Sequence, residues 1–164
     1  MNTLIPNPEC DLVLVRTVPV TPERVFAAWT QPDLLMQWFT PAPWKTVACE
    51  IDVRPGGRFN TTMQSPEGDS YPNIGSIVAV EPGRHLAFTS TMAEDFRPLA
   101  LGSGPGDLAF TAHITFEPAD GGGTVYTVIA MHSTAEGRDR HAEMGFMDGW
   151  GAALDQLVAL MGEK

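Results

Sequence analysis

The stretch from Ser133 to Lys164 limits what this chain can fold into more than any other. Set out as a helix at about 100° per residue, it puts Phe146, Met147, Trp150, Leu154, Leu157, Val158 and Met161 on one face. Arg138, Asp148, Asp155 and Gln156 fall on the other side. The pattern predicts one long amphipathic helix, with Ser133 and Glu136 as a capping box at its start. A stripe this long has to be buried against a second layer. Two features interrupt it. Glu143 lies on the axis of the stripe, one turn before Met147, where a carboxylate is costly to bury. Gly145, Gly149 and Gly151 each cost about 1 kcal/mol relative to Ala inside a helix. Gly151 sits on the stripe, where the helix could bend or the second layer approach, whereas Gly145 and Gly149 face away. The N-terminal half, with Glu143, Met144 and Met147, is expected to see a ligand. The half from Leu154 to Met161 is expected to be core.

The second layer is legible upstream. Asp11 to Val20 is β-branched and apolar, a strand ended by Pro19. Thr21 then N-caps a helix with Pro22 at its first position, burying Val25, Phe26 and Trp29. A second short helix is expected over Asp33 to Phe39, stopped by Pro41 and Pro43. From Thr46 the apolar period changes to two. Strands are expected from Thr46 to Val53, across the turn Arg54-Pro55-Gly56-Gly57 into Phe59 to Met63, and from Tyr71 or Asn73 to Val80. Three more follow, over His85 to Thr91, Leu108 to Glu117 and Thr124 to His132. Met92 to Asp107 is rich in Gly and Pro with Phe96, Leu99 and Leu101 between them. It reads equally as a lid or as a disordered insertion. The order gives one α+β domain over residues 1–164.

At this point the residues resemble a known family. "RTVPVTPERVFAAWTQPDLLMQWF" at Arg16 to Phe39 looks like the opening of the SRPBCC (START-like, Bet v 1-like) superfamily. "VRPGGRF" at Val53 to Phe59, the "PEG" turn at Pro66 to Gly68 and "MGFMDGWGAALDQL" at Met144 to Leu157 are similar to bacterial heat-shock protein 90 ATPase activator homologues. The resemblance implies a helix-grip fold: a curved antiparallel β-sheet wrapped around a long C-terminal α-helix, with two short helices after strand 1. It also implies a cavity between that helix and the sheet. A chaperone contact is implied only by the family name. The eukaryotic co-chaperone makes much of that contact through an additional N-terminal domain, and none is expected here, where the first strand opens within a few residues of the start.

Trp38, Phe39, Phe59, Met63, Phe88, Phe110, Met144, Met147 and Trp150 are expected to line that cavity, since aromatic and Met side chains suit an adaptable apolar pocket. Each of them taken singly also reads as ordinary core. Glu143 and His132 are the candidates for polar contact or acid–base work, His132 because it ends the last strand on the face of Tyr126 and Val128. Glu143 reads equally as a solvated carboxylate in the first turns of a helix. His132, His141 and Glu143 do not form a metal-ligand spacing. On the wheel His141 falls on the polar side, about 160° from Glu143, so neither metal nor cofactor is expected. No GxSxG elbow or Walker loop occurs.

Charge narrows the partners. Lys plus Arg total 10 against 20 for Asp plus Glu, a net charge of -10, which repels nucleic acid and anionic membranes. Cys10 and Cys49 form no CxxC pair, and no signal-peptide core or membrane-length apolar run is present, so a cytoplasmic location is expected. The expected function is binding of a small hydrophobic or aromatic molecule. The alternatives are a cyclase- or hydrolase-type enzyme using Glu143 or His132, and a stress-related co-chaperone. A homodimer is left open.

Overall fold

The computed structural model describes residues 4–100 and 108–162. It begins with β1 (Asp11–Val18), followed by the helices α1 (Pro22–Thr30) and α2 (Pro32–Leu35). Thr21 caps α1 by accepting from the Arg24 amide, with Pro22 in the first turn. The second helix is shorter than the expected Asp33 to Phe39. It closes after Leu35 into a series of turns, held partly by the Trp38 indole N–H donating to the Ala28 carbonyl at 3.0 Å.

Eight strands follow: β2 (Lys45–Ile51), β3 (Phe59–Gln64), β4 (Ser70–Asn73), β5 (Ser76–Glu81), β6 (His85–Thr89), the short pair β7 (Met92–Ala93) and β8 (Arg97–Pro98), and β9 (Thr111–Pro118). β10 (Thr124–Met131) completes the strands, and α3 (Ala135–Glu143) and α4 (Phe146–Met161) end the chain. All pairings are antiparallel. One sheet has the order β1-β10-β9-β6-β5, a second β2-β3-β4, and β7 pairs with β8.

The single strand expected from Tyr71 or Asn73 to Val80 is broken at Ile74 and Gly75. Its first half pairs with β3 and its second with β6. The break is a bend rather than a gap. An Arg58–Ser76 bridge and the Phe59 N–H to Gly75 carbonyl bond at 3.0 Å carry pairing across it. Gly75 is required there, because a Cβ would lie 2.7 Å from the Thr89 carbonyl oxygen. The same crowding holds Gly57, whose Cβ would lie 2.1 Å from the Asp52 carbonyl oxygen. The "PGGRF" turn and this kink thus fold the sheet into a curve.

Registration places the core rows. Leu14, Val128, Ile114 and Leu86 stand opposite one another across β1, β10, β9 and β6, and all four are buried. The buried residues Leu154, Leu157 and Met161 of α4 cover that face, as expected for this half of the C-terminal segment. Two polar ties position α4. The Arg24 guanidinium of α1 donates to the Met161 carbonyl at its C-terminus. The Gln156 amide group donates to the Trp38 and Thr40 carbonyls at 2.9 and 3.0 Å.

The single long helix expected from Ser133 is corrected to two. Gly145 takes a left-handed conformation (φ 94°) that closes α3 and opens α4. Its amide donates to the Ala142 carbonyl at 3.0 Å, the pattern of a glycine helix stop. The N-cap is Thr134, not Ser133. Gly151 serves as expected of a residue on the stripe. A Cβ there would meet the Arg16 guanidinium at 2.7 Å, and Arg16 passes over it to Asp155. Among the described residues, no helix is long and apolar enough to cross a membrane.

Candidate functional site

Between α4, the α1–α2 segment and the curved sheet lies a cavity of about 630 Å³. Trp29 is its hub. The indole is buried and sits 5.1 to 6.3 Å, centroid to centroid, from Trp38, Phe39, Phe59, Phe88 and Trp150. Phe59 stacks on Phe88 at 4.4 Å. These rings come from α1, the turns after α2, two strands and α4, so only the folded sheet brings them together.

Trp38, Phe39, Phe59, Met63, Phe88, Phe110, Met144 and Trp150 all line the cavity. Three candidates do not. Met147 is 50 % exposed, and Glu143 is exposed at the end of α3. Glu143 falls on the apolar stripe only if one helical phase is carried through Gly145, and the left-handed turn there resets that phase and leaves Glu143 exposed. Met147 keeps the α4 phase of Leu154 and Met161 but sits in the first turn of that helix, where it is exposed. His132 is the third. It is buried, but it stands behind His141 and faces a shallower depression beside Thr91, Phe110 and Thr111. Neither of the two alternative acid–base candidates, Glu143 or His132, therefore lines the cavity. His132 reaches it only through a neighbour.

That neighbour, His141, is the residue the helical wheel misplaced. It is the side chain α3 buries, 7 % exposed, and it forms part of the cavity wall. Its Nδ1 lies 2.9 Å from His132 Nε2, and His132 Nδ1 lies 2.8 Å from the Cys10 carbonyl oxygen. Phe110 and Phe146 flank its ring at 4.8 and 5.0 Å. Burial, and secondarily the adjacent His132, push its pKa down to about 4, so it is neutral at physiological pH. The sequence signal for this was Gly145 itself, read as a stop rather than as a helix-interior residue.

Tyr126 was also unassigned. Its buried hydroxyl accepts from the Trp29 indole N–H at 3.0 Å, and burial raises its pKa well above the usual range despite that bond. Its own proton has no acceptor among the described residues, and the residue borders the cavity. Phe146, Ile74, Leu99 and Gly149 are among the other wall residues that the sequence pattern does not single out. The Met92 to Asp107 segment contributes through Leu99 and Ala100, while Phe96 packs over Gly56. Its remainder, 101–107, lies outside the described residues, and with it the choice between lid and disordered insertion. Among the described residues no group of three His, Cys, Asp or Glu side chains is placed to hold a metal ion.

Comparison with known proteins fits this architecture. The family model described as "Activator of Hsp90 ATPase homolog 1-like protein" matches residues 19–162. The chain belongs to this family. A protein from Nitrosomonas europaea of known structure is 40 % identical over 95 % of this chain and 96 % of that one, with a TM-score of 0.88. A Mycobacterium smegmatis protein is 26 % identical over 94 % and 91 %, at a TM-score of 0.76. A Silicibacter pomeroyi protein whose name carries the same family designation is 25 % identical over 93 % and 97 %, at 0.65. Among curated proteins none matches. Membership in the Hsp90-activator-like family, together with the curved sheet closed over α4, identifies the fold as helix-grip, as the sequence resemblance implied.

Proposed function

We propose that this protein binds one small, largely apolar or aromatic molecule in the cavity between α4 and the sheet, without transforming it. The observation that carries the reading is a space of about 630 Å³ left open inside a wall of aromatic side chains. Close packing is the rule in protein interiors, and empty volume on this scale is uncommon outside ligand sites. The family's name refers to activation of the Hsp90 ATPase. The cavity, not that name, supports the present reading. Two free cysteines, Cys10 and Cys49, support a reducing, cytoplasmic setting.

Gly149 offers a direct test. It lines the cavity on an α4 turn, and a Cβ there would meet nothing within 4 Å. Gly149→Leu should therefore project into the cavity and take up part of it while improving helix propensity. Methoxynaphthalene, added to the purified protein, is expected to quench tryptophan fluorescence saturably, through Trp29, Trp38 and Trp150 at the cavity. Gly149→Leu should weaken that response and raise the melting temperature. Absence of saturable binding to the unmodified protein, or unchanged binding to the variant, would refute the reading.

A further inference from the structure

The two buried histidines fix each other's protons. The Cys10 carbonyl oxygen can only accept, so His132 Nδ1, at 2.8 Å, carries a hydrogen and donates. In the neutral form of His132 the imidazole has one N–H, so its Nε2 is then a lone pair. The His141 Nδ1 that lies 2.9 Å from it must then donate. His141 Nε2 is left as a lone pair in turn. It has no hydrogen-bond partner among the described residues, on a ring that forms part of the cavity wall. The order Cys10 C=O, His132, His141 thus runs one way, from backbone to cavity.

The surroundings select what that lone pair can meet. Phe110 and Phe146, at 4.8 and 5.0 Å, hold the imidazole between aromatic rings. Among the described residues of the wall none carries a full charge at neutral pH. A carboxylate or phosphate would face a lone pair with no cation to balance it, and an ammonium would be buried without a carboxylate. A neutral hydroxyl or N–H meets neither penalty, and it gives the His141 acceptor a partner that no described residue supplies.

We propose that His141 Nε2 is the polar anchor of the cavity, accepting a hydrogen bond from the hydroxyl or N–H of a neutral, otherwise apolar aromatic ligand. His132 acts as a positioning residue that holds His141 in the accepting tautomer. The assignment rests on the cavity-binding reading above and adds the chemical class of the ligand.

The experiment compares two probes with the same ring system, naphthol and methoxynaphthalene substituted at the same position. Both present an oxygen, but only naphthol donates. Their dissociation constants are measured by tryptophan quenching. The unmodified protein should bind naphthol about tenfold more tightly. In His141→Phe that ratio should fall to near one, with methoxynaphthalene binding kept. Equal binding of the two probes by the unmodified protein overturns the anchor and leaves the cavity reading standing. Saturation by neither overturns both. A tenfold ratio that survives in His141→Phe removes His141 from the role. Nitrogen NMR of histidine-labelled protein decides independently of any variant's folding. A protonated His141 Nε2 overturns the proposal, and an unprotonated Nε2 with a protonated Nδ1 supports it. Replacing His132 by Leu should release the tautomer, so that the same spectrum shows Nε2 gaining proton occupancy. A spectrum unchanged from the parent would take the positioning role away from His132.

Discussion

Acidification should destabilise this fold through His141 by an amount that can be worked out. The folded-state pKa of about 4 lies below the unfolded value of 6.5, lowered first by burial and then by His132. The unfolded chain therefore takes up a proton that the folded chain refuses. Stability from this residue is fully present above the unfolded pKa and is lost as pH falls from 6.5 toward 4. Linkage gives a loss, relative to pH 7, of about 1.2 kcal/mol near pH 5.5 and about 1.8 kcal/mol near pH 5. His85 and His113, stacked with 3.0 Å between Nε2 and Nδ1, are also lowered, mainly by burial, and act in the same direction. The assay must therefore isolate His141 by difference. Urea unfolding of the parent protein and of His141→Gln, at pH 7, pH 5.5 and pH 5, supplies it. Measurements stop there because a chain of net charge -10 approaches neutrality as its carboxylates protonate. The parent should lose about 1.8 kcal/mol more than the variant over that range. Parallel losses in the two proteins would show that His141 is not held neutral by its burial, and would refute the reasoning.

Other positions give sharper local contrasts. Gly145→Ala, at φ 94°, should destabilise by about 1–2 kcal/mol, while Gly149→Ala, with open space around its Cβ, should stabilise by up to about 1 kcal/mol in the same urea titration. Leu157→Ala, at a fully buried position on the inner face of α4, is expected to cost about 2–5 kcal/mol; Met147→Ala, half-exposed, should stay within about 0.5 kcal/mol by thermal or chemical unfolding. Asp155→Ala breaks a 2.9 Å ion pair with Arg16 whose two side chains are 69 % and 40 % exposed, so its cost should not exceed about 1 kcal/mol and should shrink further in high salt.

The fold was legible because its determinants are local. Thr21-Pro22 caps α1, the period-two runs become β2, β3, β6, β9 and β10, and Leu154, Leu157 and Met161 bury as their spacing requires. The two larger errors in the fold, the broken strand and the broken helix, both fall at a glycine that changes the chain's direction. Gly75 breaks a strand because Thr89 lies against it, and the contact between residues 75 and 89 is not a local property of either segment. Gly145 carries more local information. A glycine after Arg140 and His141, followed by a fresh apolar run, fits a helix stop followed by a new start. The uninterrupted stripe beyond it overrode that signal.

That one turn decides where the polar groups go. In a continuous helix His141 points to water and Glu143 to the sheet. With Gly145 left-handed, the helix axis is re-set, His141 turns inward against Phe110 and Phe146, and Glu143 turns out. Only one exchange of this kind is physically inexpensive. An inward carboxylate would require a cation, and the described wall holds none, whereas an inward imidazole can discard its proton and bond to His132. The desolvation cost that made Glu143 conspicuous on the wheel is the same cost that the break removes. The polar side chains of the described wall are then uncharged ones: the His141 imidazole bonded to His132, the Tyr126 hydroxyl, and Thr40, Thr61, Asn73, Thr89 and Ser90, set among aromatic rings. Such a wall suits a neutral ligand with one or two hydrogen-bonding atoms and gives a charged ligand no compensating partner.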